Sequence, residues 1–92
     1  MNIRTKATAG TQEKGDILLS VAPCAQGIHI ALTSSTGSKF KAQVLRTIEA
    51  TLAQHGVAAA EVAAEDRGAF DFVIRARLET ALRRAAESEA VS

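Results

Sequence analysis

The segment AGTQEKGD, Ala9–Asp16, ends in a polar tip, Glu13–Lys14–Gly15–Asp16. Such a tip offers an amine and two carboxylates around a glycine. Gly15 takes backbone angles that other residues avoid, so the spacing predicts a turn that presents Lys14 outward. The glycines do not have P-loop spacing, and the segment leads into a strand and not into a helix. The second candidate set is DRGAFDFVIRAR, Asp66–Arg77, which carries Arg75 and Arg77. Arg77 falls at the border of an apolar stripe. An arginine there packs its stem on the core and offers a planar fork to a carboxylate or a phosphate. The same fork serves equally well in an internal salt bridge, and the sequence leaves both roles open.

The remaining reactive side chains do not assemble into a site. Cys24, His29 and His55 are the only Cys and His residues, and they lack the paired ligand spacing of a zinc site. His55 falls at a helix end, where the dipole favours a cation. Cys24 has no base placed beside it by sequence. Glu61, Glu65, Asp66 and Asp71 read as solvated charges and helix-capping groups. No nucleophile–base pair emerges, so the chain reads as a non-catalytic protein with no catalytic and no metal-binding residues.

Composition narrows the classes further. Ninety-two residues make one domain, residues 1–92. A domain of this size buries only about 60% of its unfolded surface, so its core is thin. Eleven basic and ten acidic residues leave a net charge of +1. Nucleic acid is an unsuitable partner without a basic surplus or stacking Tyr and Trp side chains. One cysteine excludes an internal disulfide framework. No apolar run has the length of a membrane span or the form of a signal peptide, so the reading is a soluble cytoplasmic protein with no membrane partner.

The elements that position the candidate residues follow from periodicity. A short strand is predicted around Ile3–Ala9. Strands at Ile17–Ala22 and Ile28–Thr33 alternate with period two, and the short link Pro23–Gly27 predicts that they form an antiparallel hairpin. Ser34–Ser38 marks a loop and a helix N-cap. Phe40, Val44, Ile48 and Leu52 fall at four-residue steps and predict a buried helix face over Lys39–His55, ended by Gly56. Val57–Ala64 reads as a strand, and Asp66–Gly68 as a turn. A second helix is predicted over Ala69–Glu87, with Phe70, Ile74, Leu78, Ala81, Leu82 and Ala85 buried. Its other face carries Asp71, Arg75, Glu79 and Arg83 as a four-apart charge ladder. The tail from Glu87 to Ser92 should fray. The order β-β-β-α-β-α predicts an α+β fold, an antiparallel sheet of about four strands with two helices packed on one face.

These residues also resemble a known family. AGT at Ala9–Thr11, Glu13, Gly15–Asp16, Pro23, Ser34–Ser35, Phe40, Thr47–Ile48, Val57, Asp66, Gly68–Ala69, Asp71 and IRARLE at Ile74–Glu79 are similar to the citrate lyase acyl carrier (gamma subunit) family. A more distant resemblance is to the acyl carrier of malonate decarboxylase. The resemblance implies a carrier that breaks no bonds itself. It implies a 2'-(5''-phosphoribosyl)-3'-dephospho-CoA arm on a serine directly before the Gly–Asp pair, shown in turn to acyltransferase (alpha) and lyase (beta) subunits and installed by a prosthetic-group transferase. Here that position is Lys14, followed by Gly15 and Asp16 as the matching binding residues. A lysine amine does not form the phosphodiester that a serine hydroxyl forms. Thr11, three residues upstream, and Ser20, inside a strand, are the neighbouring hydroxyls. Two readings therefore stand side by side: a carrier altered at its attachment position, and a non-acylated interaction subunit of the same kind of complex. Carriers of malonate decarboxylase-type or citramalate lyase-type complexes are further alternatives.

Overall fold

Alternating burial builds the sheet. The computed structural model describes residues 1–35 and 37–86. Strands β1 (Ala7–Gly10), β2 (Ile17–Ala22) and β3 (Ile28–Ser34) precede helix α1 (Ser38–Gln54), strand β4 (Ala60–Asp66) and helix α2 (Asp71–Ala86). Ile17, Leu19 and Val21 of β2 and Ala60, Val62 and Ala64 of β4 point into the core. The residues between them on β4, Glu61, Ala63 and Glu65, face outward. Both helices therefore cover one face, as the element order predicts, and the fold is α+β.

The pairing of the strands differs from the sequence expectation. The sheet order is β1-β2-β4-β3. β1–β2 and β2–β4 are antiparallel, whereas β3 and β4 run parallel. The sheet is thus mostly antiparallel with one parallel pair, and β2 and β3 do not form the expected hairpin. β4 lies between them because its inward residues are small and wholly buried, which suits a central strand. β3 keeps Ile28 exposed and takes the edge. The five residues between β2 and β3 need only cross two strand spacings, roughly 10 Å, which their length allows. Their end is pinned to the intruding strand, since the Ala60 N–H donates to the Gly27 carbonyl at 3.0 Å.

Element boundaries shift for local reasons. β1 begins at Ala7 and not at Ile3, because the Arg4 and Thr5 N–H groups donate instead to the Ala85 carbonyl of α2. β4 extends to Asp66, which is buried and not a free turn residue. The expected hydroxyl cap of α1 does not form: its N-cap is Gly37, without a side-chain hydrogen bond. Ser34 belongs to β3 and donates to the Asp66 carboxylate. At the other end, Gly56 adopts φ +65, its N–H donates to Ala53 O, and the Val57 N–H donates to Leu52 O. This is a Schellman cap, with Val57 and Leu52 both buried beside it. The frayed tail expected at Glu87–Ser92 lies outside the described residues.

The core contains no aromatic side chain. Val44, Ile48, Thr51 and Leu52 of α1 and Ile74, Leu78, Ala81, Leu82 and Ala85 of α2 close it over the sheet. Phe40 and Phe70 were expected to open these two stripes, but both are exposed. The buried runs begin one turn later, at Val44 and Ile74, so the first turn of α1 and the residue before α2 overhang the core. The charge ladder on α2 also does not form. Glu79 instead meets His55 at 3.1 Å, which joins α2 to the end of α1.

Gly10 has no room for a side chain. It has φ +96, and a Cβ added there would lie 1.8 Å from the Ile17 carbonyl oxygen. Gly10→Ala is expected to cost about 2 kcal/mol or more through clash and strain. Gly15→Ala, whose added Cβ meets nothing within 4 Å, should cost less. Chemical denaturation of both variants checks the order.

Candidate functional site

The β1–β2 connection is a tethered loop. The Asp16 N–H donates to the Glu13 carbonyl at 3.0 Å, closing a turn with Lys14 and Gly15 at its centre. Gly15 has φ +85 and Lys14 has a negative φ, which makes this a type II turn. Lys14 is exposed at its tip, and no described residue bonds its side chain. The Gly15 N–H donates to Arg67 O at 2.7 Å, and the Arg67 N–H donates to Asp16 O at 2.9 Å. These two bonds continue the β2–β4 ladder past Ile17 and Asp66. Gln12 Nε2 adds a hydrogen bond to the Glu65 carboxylate.

Asp16 is the anchor beneath the tip. It is buried, and Arg77 grips it with both arms of its fork: Nε donates to Oδ1 at 3.0 Å and an Nη to Oδ2 at 2.8 Å. Thr11 Oγ1 donates to Oδ2 at 2.7 Å, and the Ile17 N–H donates to Oδ1 at 2.7 Å. Burial pushes the carboxyl pKa up. The hydrogen bonds from Arg77, Thr11 and Ile17, with the charge of Arg77, outweigh that effect and lower it to about 2. The two roles left open for Arg77 are thereby resolved in this structure: its fork holds an internal carboxylate. Arg75 stays exposed and does not join the site.

Asp66 anchors the neighbouring turn. Its carboxylate accepts from the Ala69 N–H and from Ser34 Oγ, both at 3.0 Å. The Asp66 carbonyl accepts from the Ser35 N–H. Three connections therefore converge at one end of the sheet: 11–16, the start of the β3–α1 link, and 67–70. Beside them lies an open apolar cleft edged by Phe40, Phe70 and Phe72. Sequence periodicity missed this cleft, because it assigned two of its phenylalanines to the core. Cys24 and His29 lie elsewhere, both bonded to the Gln26 carbonyl, and His55 belongs to the helix pair. Among the described residues no three His, Cys, Asp or Glu side chains are grouped to hold a metal.

Comparison with known proteins agrees with this geometry. A family model described as the malonate decarboxylase delta subunit (MdcD), of acyl carrier type, matches residues 4–85. The citrate lyase acyl carrier protein of Streptococcus mutans is 46% identical over 90 residues, covering 97% of this chain and 88% of that protein. That of Halothermothrix orenii is 42% identical over 87 residues, covering 95% and 93%. The chain belongs to the citrate lyase acyl carrier protein family. Its fold is also that of a chain in the Pseudomonas malonate decarboxylase hetero-tetramer, with a TM-score of 0.76 at 22% identity over 91% of this chain and 87% of that one. A looser likeness of fold alone, TM-score 0.55 at 12% identity over 86% and 82%, is to the RNase P protein of Staphylococcus aureus. In this acyl carrier family member, the tethered turn and its Asp16–Arg77 clamp are the built features nearest residue 14.

Arg77→Ala leaves a buried carboxylate without its main donors and is expected to cost about 1.5–3 kcal/mol. Arg77→Lys should recover only part, since an ammonium cannot grip both oxygens in one plane. The lowered Asp16 pKa also fixes a pH dependence. The unfolded state takes up this proton at a higher pH than the folded state. The clamp's contribution is therefore present above about pH 4 and is lost as pH falls toward 2. Melting temperatures between pH 2 and 5 should fall steeply in the parent chain and with a shallower slope in Asp16→Asn.

Proposed function

We propose that this chain is the acyl carrier (gamma) subunit of a citrate-lyase-type complex, a cytoplasmic, non-catalytic subunit that works between acyltransferase (alpha) and lyase (beta) partners. The observation that carries this reading is the type II turn at Glu13–Asp16, tied down at its base and exposed at residue 14. A carrier must show one residue to more than one partner without losing its place on the scaffold. A turn with a clamped base and a free tip meets that demand.

The group expected on such a turn is 2'-(5''-phosphoribosyl)-3'-dephospho-CoA, whose thiol holds an acyl group as a thioester. The residues present do not fit it. Lys14 has no hydroxyl to form the phosphodiester. Thr11 Oγ1 is already engaged, donating to Asp16 and accepting from the Glu13 N–H at 3.2 Å. Ser20 lies within β2, away from the tip. This favours a second reading, in which the chain fills the carrier's place in the complex without an acyl group. The description of the matching family keeps a malonate decarboxylase-type complex as the alternative assembly.

The test is intact mass after co-expression with a citrate lyase arm-synthesis and transferase system. Lys14→Ser is expected to gain the mass of the arm, whereas the parent chain is expected to stay unmodified. If Lys14→Ser also stays unmodified while a control carrier is loaded, the carrier reading fails for this chain.

A further inference from the structure

All three aromatic residues of the chain lie outside its core and beside one cleft. Phe40 is 49% exposed, Phe70 71% and Phe72 65%. The Phe70 and Phe72 rings stack on each other, with centroids 5.9 Å apart and planes 13° from parallel. With Val44 and Ala69 they line an open cleft of about 440 Å³. Exposed aromatic groups of this kind mark interaction sites, because water is a poor solvent for them and aromatic side chains anchor interfaces.

The polar groups around the cleft define what it suits. The Asp66 carboxylate is already bonded to Ser34 and Ala69, and Asp71 accepts from Gln43 Nε2. Neither carboxylate is free of partners to orient a small polar ligand, so the cleft suits an apolar side chain of another protein. The rim is basic. The first turn of α1 carries Lys39 and Lys41 and no acidic residue, and Lys39 Nζ lies 5.8 Å from the centre of the Phe40 ring. Cations at a helix N-terminus oppose its dipole, so these lysines do not serve the helix that bears them. Arg67, exposed on the adjacent turn, adds a third positive group.

The cleft is also continuous with the residue-14 turn. Arg67, one residue before Gly68 on the cleft wall, is bonded through its backbone to Gly15 and Asp16. The cleft wall and the base of the residue-14 turn are thereby joined through one residue. We propose that this end of the molecule is the docking face for a partner subunit, whose matching surface presents an apolar side chain flanked by carboxylates. The proposal rests on the carrier reading above and adds to it the surface and the chemistry of the partner.

Binding of the chain to a purified lyase–acyltransferase subunit pair, measured by biolayer interferometry in 50 and 500 mM NaCl, tests it. Phe70→Ser combined with Phe72→Ser is expected to weaken binding at least about thirtyfold, with an unchanged thermal melt because both rings are exposed. Lys39→Glu combined with Lys41→Glu is expected to slow association and remove most of the salt dependence. If the phenylalanine variant binds within about threefold of the parent, the docking face is overturned and the carrier reading stands. If the parent does not bind the subunit pair, both fall. If the parent instead self-associates in sedimentation and the phenylalanine variant does not, the face belongs to a second copy of this chain and the proposal is overturned.

Discussion

The grip of Arg77 on Asp16 is the constraint on which the functional end of this protein depends. It joins residues 61 positions apart, one in the first loop and one in the middle of the last helix. Without it, the base of the residue-14 turn would keep its local bonds from Thr11 and Ile17, the backbone pairing to Arg67 and the surface contact of Gln12 with Glu65, but no tie to a helix. With it, the position of the turn is set by α2, which is itself fixed by five buried side chains. The pair is partly shielded from water: the Asp16 side chain is 13% exposed and the Arg77 side chain 43%. An ion pair in that setting, with two parallel hydrogen bonds, constrains direction as well as distance.

A division of labour follows between small and large side chains. The core is assembled from Ala, Val, Ile and Leu, and Ala60, Ala64, Ala81 and Ala85 allow sheet and helices to approach closely. This leaves no room inside for aromatic rings. The three phenylalanines are displaced to the overhanging start of α1 and to the entry of α2, beside the same turns that Asp66 and Asp16 hold together. The thin core expected of a short chain and the exposed aromatic end are thus two sides of one packing solution.

Much of this was legible in the residues. Period-two alternation located β2 and β3 almost to the residue, and the four-residue steps located α1 and α2. Gly56 marked the end of α1. The pairing of strands was not legible, because a five-residue link serves both a hairpin and a jump across one intervening strand. Periodicity also cannot tell where a stripe leaves the core, so Phe40 and Phe70 were placed inside it. Arg77 stood out at the border of the apolar stripe, but its partner is 61 residues distant, and no local pattern reports a contact of that range. Asp66 was half hidden for a similar reason: its bond from the Ala69 N–H is local, but its bond from Ser34 exists only once β3 lies beside β4.

The central place of β4 has a consequence for how the chain is made. Until residue 66 has left the ribosome, β2 and β3 each present an open hydrogen-bonding edge, with no strand between them to satisfy it. The N-terminal half can form the β1–β2 hairpin and α1, but it cannot complete a sheet. Insertion of β4 closes both edges in one event and brings Asp66 against Ser34 at the same moment. Sheet closure is therefore a late, long-range step, of the kind that slows folding and prolongs exposure of unpaired strands. In a chain of this size, with a thin core, that interval leaves most of the apolar face of β2 uncovered until the last third of the sequence is in place.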